Sequence, residues 1–150
     1  MRLFEAQLSD TLLKSLIAMS AAWEAENSTY GYHINSRQFI EKNRVFVAEE
    51  QGAVVGYLLG KRCVAERSTS VMEQGTAYFE IEELYVTPER RNCGVGKKLF
   101  QFVEDTARSE GIGILDLITA TKDHRRILHF YIDELGMEFW SAHLYKKLKL

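Results

Sequence analysis

A glycine-bearing bend between a strand and a helix constrains this chain more than any other stretch of it. Residues Glu80 to Phe102 read EIEELYVTPERRNCGVGKKLFQF. Leu84 and Val86 end an apolar strand. Pro88 and Glu89 stop it, because proline has no N–H for a ladder and fixes its own φ. Gly94 and Gly96 then let the backbone turn tightly and approach a ligand with no Cβ in the way. Val95, Leu99, Phe102 and Val103 follow at i, i+4, i+7 and i+8, one face of a helix. A helix that opens on such a loop presents unpaired N–H groups, with the positive end of its macrodipole behind them, and so suits a phosphate.

Two common phosphate patterns are missing from the bend. Gly96-Lys97-Lys98 lacks both the earlier glycine and the magnesium-binding hydroxyl of G-x-x-x-x-G-K-[ST]. Leu99 stands where G-x-G-x-x-G needs its third glycine. Asp116, at the distance where that fingerprint wants an acid, sits inside an apolar run rather than at a strand end.

The flanking elements can be read by period. Met1–Ala6 alternates as a short strand. Ser9 or Asp10 caps a helix from about Thr11 to Trp23, whose stripe is Leu12, Leu13, Leu16 and Ile17. Trp23–Asn35 mixes aromatics, acids and turn formers. It is either a surface connection pinned by its aromatics or a wall that grips a cationic substrate through Trp23, Glu26 and Tyr30. A short helix follows Ser36. Val45–Glu49 and Ala53–Cys63 form a hairpin about Glu50-Gln51-Gly52. Ala65–Thr76 is a polar loop before a strand over Ala77–Thr87, and the glycine-loop helix runs on to about Glu110. Ile114–Thr119 suits a strand covered on both faces. His124, Ile127, Leu128, Tyr131 and Leu135 share a helical face that Gly136 ends, and Glu138–Leu148 holds one or two strands. The order implies an α/β domain with a mixed sheet, whose parallel connections have their crossover helices.

Composition limits what such a domain can do. With 150 residues, 46% of them hydrophobic, the chain makes one domain, residues 1–150, with a real core. A net charge of −2, with the basic residues spread out, argues against nucleic acid as a partner. Two cysteines, Cys63 and Cys93, form neither a disulfide framework nor a metal pattern, and no metal is expected. No charged-then-apolar leader and no long apolar run are present. The expectation is a cytoplasmic protein that does not engage a membrane.

What remains at the bend is R-x-x-G-x-G, Arg91 to Gly96. Set between an apolar strand and an amphipathic helix, it resembles the acetyl-CoA signature of the GNAT N-acetyltransferase superfamily. His129-Phe130-Tyr131 and Leu135-Gly136-Met137 look like that family's tyrosine-bearing helix. The likeness covers the second half of the chain well and the first half in element order. It implies a mostly antiparallel central sheet of six or seven strands, with about four helices on both faces.

The resemblance implies acetyl-CoA as co-substrate. The amides of Arg91, Asn92, Cys93, Gly94, Val95 and Gly96 would cradle its pyrophosphate, with Lys97 and Lys98 adding nearby charge. Asn92 replaces the family's usual glycine, a mild departure because asparagine tolerates left-handed φ. Cys93 is a small filler, or a thiol acidified by the helix terminus. A backbone N–H at Leu84, Tyr85 or Val86 would polarise the thioester carbonyl. His124 stands where the family often has an asparagine that contacts the coenzyme, and Arg125 and Arg126 reach a 3′-phosphate or are simply solvated.

The implied acceptor is a small amine or a protein or peptide amine. An alkylammonium with a pKa near ~10.4 must lose a proton before it attacks. Glu80 and Glu82, at i and i+2 on a strand, face one side, and Glu83 faces the other. Glu80 matches the base of histone-type members and Glu82 the acid of polyamine-type members, with Glu82 the preferred one. Tyr131 matches the general acid for the leaving thiolate, and would otherwise be a core tyrosine. Phe130, about 100° round the helix, is excluded. A homodimer is possible, as in many relatives. The alternative is a sensor that binds acetyl-CoA without turnover.

Overall fold

The computed structural model describes residues 1–150. Its elements are β1 (Arg2–Ala6), α1 (Asp10–Glu26), α2 (Arg37–Glu41), β2 (Arg44–Glu50), β3 (Ala53–Val64), β4 (Ala77–Val86), α3 (Val95–Ser109), β5 (Leu115–Leu117) and α4 (His124–Leu128). A 3-10 turn over Pro88–Arg90 leaves β4, and α4 widens into a π-helical turn over His129–Glu134. Serines start the first two helices: Ser9 Oγ accepts from Leu12 N at 3.1 Å and Ser36 Oγ from Phe39 N at 3.1 Å. Each such cap is worth about 1 kcal/mol.

The strands form one sheet in the order β1-β2-β3-β4-β5. All neighbours are antiparallel except β4 and β5. Each face of the sheet buries one apolar cluster. On one side Val45, Val47, Tyr57, Leu59 and Tyr85 pack with Leu13 and Leu16 of α1 and Ile40 of α2. On the other, Phe46, Leu58, Phe79 and Ile81 pack with Leu99, Phe100 and Val103 of α3 and with Tyr131.

The expected sheet of six or seven strands is corrected to five. β5 is shorter than the apolar run Ile114–Thr119 suggests, because Ile118 is 93% exposed and the chain leaves the sheet after Leu117. There it bonds instead to the loop after α1, through Tyr30 N to Ala120 O at 3.0 Å and Lys122 N to Ser28 O at 2.9 Å. A three-residue edge offers little ladder to a further strand. Residues 138–150 accordingly form none, although Trp140 donates to Ser70 Oγ at 2.9 Å and Tyr145 to Tyr30 Oη at 3.3 Å.

The central pair, β3 with β4, is irregular at one place. Leu59 pairs with Glu83 but Gly60 pairs with Ile81, so Glu82 is an extra residue, a β-bulge. Cross-strand partners share a face. Glu80 is opposite Lys61 and Glu83 opposite Leu59, on the α1 side, while Ile81 and Leu84 lie on the α3 side. The expectation that Glu83 faces away from Glu80 and Glu82 is therefore wrong, because the bulge resets the alternation.

Gly60 is what the bulge requires on β3. A Cβ there would stand 2.6 Å from the carbonyl oxygen of Glu80 and run into the Phe79 ring. Backbone cannot yield cheaply in the centre of a sheet. Gly60→Ala is expected to destabilise the fold by about 1–3 kcal/mol in urea denaturation. A loss below about 0.5 kcal/mol, the size of an ordinary surface change, would mean that the bulge does not depend on this glycine.

Candidate active site

β4 and β5 pair only through Phe79–Ile81 and Leu115–Leu117 and then part. Strand residues alternate the side to which their N–H and C=O point. Thr87 N donates to Val55 O of β3 at 2.9 Å. The backbone groups of Tyr85 therefore also face β3, while those of Leu84 and Val86 face the gap. Of the three expected carbonyl-polarising positions, Leu84 and Val86 keep donors that a ligand can reach.

The gap opens into a cleft of about 740 Å³ that reaches both faces of the sheet. Trp23, Glu26, Glu82, Leu84, Tyr85, Val86, Arg91, Asn92, Gly94, Val95, Gly96, Lys97 and Tyr131 line it as expected. Glu80, Cys93, His124 and Tyr30 do not. Glu80 lies toward the other end of β4, with Lys61 Nζ at 3.6 Å and the Cys63 thiol donating to it at 3.3 Å. Cys93 is exposed, and His124 is exposed at the first turn of α4. Tyr30 is exposed and meets Tyr145 and Lys122.

At the cradle, Asn92 takes φ +59° and Gly94 φ +77°. Arg91 N already donates to Pro88 O at 3.3 Å, so the cradle begins one residue later than expected. From Asn92 to Lys97, six consecutive N–H groups donate to no backbone acceptor, and α3 has no side-chain cap. Such a run fits a multiply charged anion such as a diphosphate. Arg126 Nη2 donates to Asn92 Oδ1 at 2.9 Å and brings a cation to the rim. A Cβ on Gly96 would touch Phe130 at 3.4 Å.

The Arg91 side chain does not point at a ligand. Its Nε donates to Val86 O at 2.9 Å and its Nη2 to Glu26 Oε1 at 2.6 Å. Tyr85 Oη donates to the same Glu26 oxygen at 2.8 Å. Burial pushes the Glu26 carboxyl up, but bonds from Arg91 and Tyr85 outweigh it and hold the group below the ordinary carboxylate range. Glu26 thus joins α1 to the cradle. Beside it, Trp23 stacks on Tyr32 at 4.1 Å and on Tyr85 at 5.3 Å between ring centroids.

Two carboxylates of the bulge line the cleft. Glu82 Oε1 accepts from Lys61 Nζ at 2.7 Å. Glu83, 8% exposed, accepts through Oε2 from Asn35 Nδ2 at 2.7 Å and Tyr57 Oη at 2.9 Å. Burial pushes the Glu83 carboxyl up, and those bonds only partly oppose it. Sequence reasoning missed Glu83 because a bulge is not visible in residue types. Its one trace is a glycine, Gly60, inside a strand pattern.

Tyr131 sits in the π-helical turn, 9% exposed, with no hydrogen bond to its hydroxyl. Burial alone pushes its pKa up to about 12, which keeps it a phenol. The wide turn also brings in Phe130, which was excluded on regular helical geometry. Both side chains line the cleft, with ring centroids 5.2 Å apart. The turn closes with Leu135 N donating to Phe130 O at 3.1 Å, five residues back. π turns recur at functional sites.

The model of a family described as "Acetyltransferase (GNAT) family" matches residues 8–137. No curated protein sequence matches the chain. An aminoglycoside 6′-N-acetyltransferase from Acinetobacter haemolyticus superposes with a TM-score of 0.70 at 18% identity, over 100% of this chain and 99% of that one. An aminoglycoside acetyltransferase from an uncultured soil metagenomic sample gives 0.65 at 20% identity, over 98% and 97%. A ribosomal-protein-alanine N-acetyltransferase from Brucella melitensis biovar Abortus gives 0.68 at 16% identity, over 98% and 100%. At these identities the likeness is one of fold. No group of His, Cys, Asp or Glu is placed to hold a metal ion, and no helix is long and apolar enough to cross a membrane.

The buried phenols set an alkaline limit. An unfolded tyrosine ionises near pH 10, whereas folded Tyr131 keeps its proton to about pH 12. Their contribution to stability is whole below pH 10 and is lost as pH climbs toward 12. Chemical denaturation across that window should show a shallower loss in Tyr131→Phe than in the wild type. Equal slopes would mean that Tyr131 ionises as freely in the folded state as in the unfolded chain.

Proposed function

The chain belongs to the GNAT acetyltransferase family, and from that footing we propose that it moves an acetyl group from acetyl-CoA to a primary amine by direct attack. The observation that carries this reading is the run of six unbonded amides, Asn92 to Lys97, at the mouth of a cleft that passes between two parting strands. Acetyl-CoA, when bound, supplies an acetyl group already activated as a thioester.

Each step assigned to this chain rests on a named group. The amides of Asn92–Lys97 hold the diphosphate, with Lys97 and Arg126 adding charge. Leu84 and Val86, whose backbone faces the gap, offer donors to the pantetheine arm and the acetyl oxygen. An ammonium acceptor enters from the α1 side, past Trp23, Tyr32 and Glu26. A carboxylate of the β4 bulge takes its proton. Glu82 serves if Lys61 releases its oxygen, and Glu80, outside the cleft, does not reach. Tyr131, held as a phenol, protonates the leaving sulfur. This is a soluble enzyme reading without a metal, and a cytoplasmic one. A homodimer is compatible with it.

Substitutions test cradle and acid separately. Gly96→Asp puts a carboxylate among the amides and a side chain against Phe130. Acetyl-CoA affinity by calorimetry should fall at least about 100-fold, on the scale of a lost charge-assisted contact plus a like charge, while the circular dichroism spectrum is kept. Unchanged affinity would move the diphosphate elsewhere. Tyr131→Phe should lower kcat about 100-fold or more for thiol release in the presence of an amine, with acetyl-CoA affinity retained. Tight acetyl-CoA binding with no release for any amine would favour the sensor reading.

A further inference from the structure

Glu83 is the one charged residue buried in the protein, and neither the cradle nor the tyrosine uses it. Asn35 and Tyr57 hold it through a single oxygen, Oε2. The Tyr32 hydroxyl also supports its charged form, and neither oxygen is among the sealed polar atoms that lack a partner, which are Asn43 Oδ1 and Arg90 Nε. Glu83 lines the cleft, and its Oε1 accepts from neither Asn35 nor Tyr57. No basic side chain lies within ion-pair distance of either oxygen, whereas Glu26 is matched by Arg91 and Glu82 by Lys61.

A carboxylate fixed by neutral donors, set on a cleft wall and without a cation, has the valence for one more charged donor. A buried charge is retained only where something pairs with it. Around it stand the rings of Trp23, Tyr32 and Tyr85, stacked into one wall. The Tyr32 hydroxyl is anchored to Ser20 at 2.8 Å.

Resting on the acyl-transfer reading, we infer that Glu83 Oε1 is the seat of the acceptor ammonium and its proton acceptor, and that the acceptor is a singly charged primary amine with an apolar or aromatic body. The ammonium R–NH3+ gives one proton to the Glu83 carboxylate. The freed nitrogen pair forms the N–C bond to the acetyl carbon as the C–S bond breaks. Sulfur leaves with the pair and takes its proton from Tyr131. The nitrogen's second proton passes to solvent and leaves a neutral amide; Glu83 then gives its proton to solvent and Tyr131 takes one back, so one proton is released per turnover. A polycation fits this site poorly. Its further charges would lose hydration beside acids already paired with Arg91 and Lys61 and gain no ion pair in return. The groups that face Glu83 are Tyr57 on β3, Tyr32 and Asn35 in the loop after α1, and Glu82 on β4. Of these, Glu82 alone opposes its ionisation by like charge.

The test measures amide formation with acetyl-CoA and phenethylamine, spermidine, kanamycin or a lysine peptide, alongside acetyl-CoA affinity by calorimetry. The full-length wild type should prefer phenethylamine over spermidine and kanamycin by about tenfold or more in kcat/KM. Glu83→Gln keeps an oxygen for Asn35 and Tyr57. It should bind acetyl-CoA as the wild type does, lose about 100-fold or more in kcat/KM for phenethylamine, and lose the acidic limb of the pH profile. An acidic limb that survives in Glu83→Gln returns the base role to Glu82 and overturns the inference.

Preference for a polycation or the peptide, turnover of no amine despite tight acetyl-CoA binding, or a Glu83→Gln enzyme with wild-type kinetics each overturns the inference while leaving the cradle in place. Failure of the wild type to bind acetyl-CoA removes the acyl-transfer reading and this inference with it. If Glu83→Gln does not fold, the wild-type amine preference still decides.

Discussion

The extra residue at Glu82 in the central strand is what the rest of the site depends on. Upstream of it, β4 hydrogen-bonds on both edges, to β3 and to β5. Downstream, the alternation has shifted by one. Glu83 and Tyr85 now point to the α1 side, while the backbone groups of Leu84 and Val86 point into space that β5 has vacated. A regular strand would have turned Glu83 into the α3 core, where nothing could satisfy it. One inserted residue thus turns the backbone of Leu84 and Val86 toward the gap and delivers a carboxylate to its wall. The requirement it imposes is local: Gly60, with no Cβ, beneath the Phe79 ring.

A second set of bonds keeps the two ends of the cleft in register. Glu26 of α1 accepts from both Tyr85 of β4 and Arg91 of the loop, so one carboxylate oxygen ties the aromatic wall to the cradle. The signature arginine therefore works inward, through Glu26 and the Val86 carbonyl, and the unbonded amides are those that follow it. The same economy of charge shapes the acceptor side. Glu26 and Glu82 are paired with their own cations, which leaves Glu83 as the buried acid without one.

The cradle was legible because its chemistry is carried by backbone, and backbone at a tight bend demands glycine, asparagine and proline at fixed offsets. Asn92 and Gly94 do take left-handed φ, and α3 begins at Val95 as its apolar spacing requires. The hairpin and both serine-capped helices were readable for the same local reason. Strand content near the C-terminus was not, because Ile114–Thr119 has the composition of a covered strand. What ends β5 is a set of bonds to residues 28–30, far away in sequence.

The sequence by itself determined the family, the order of elements and the loop that would hold a diphosphate, since each rests on local φ preferences and on periodicity within one segment. Only the tertiary structure decided that Glu83 joins Glu82 on the cleft wall, that Phe130 joins Tyr131 there, and that Arg91 is spoken for. Those outcomes follow from a bulge, a π turn and ion pairs between distant elements. None of the three leaves a period or a spacing in the chain, because each depends on which segments meet rather than on what any one of them contains.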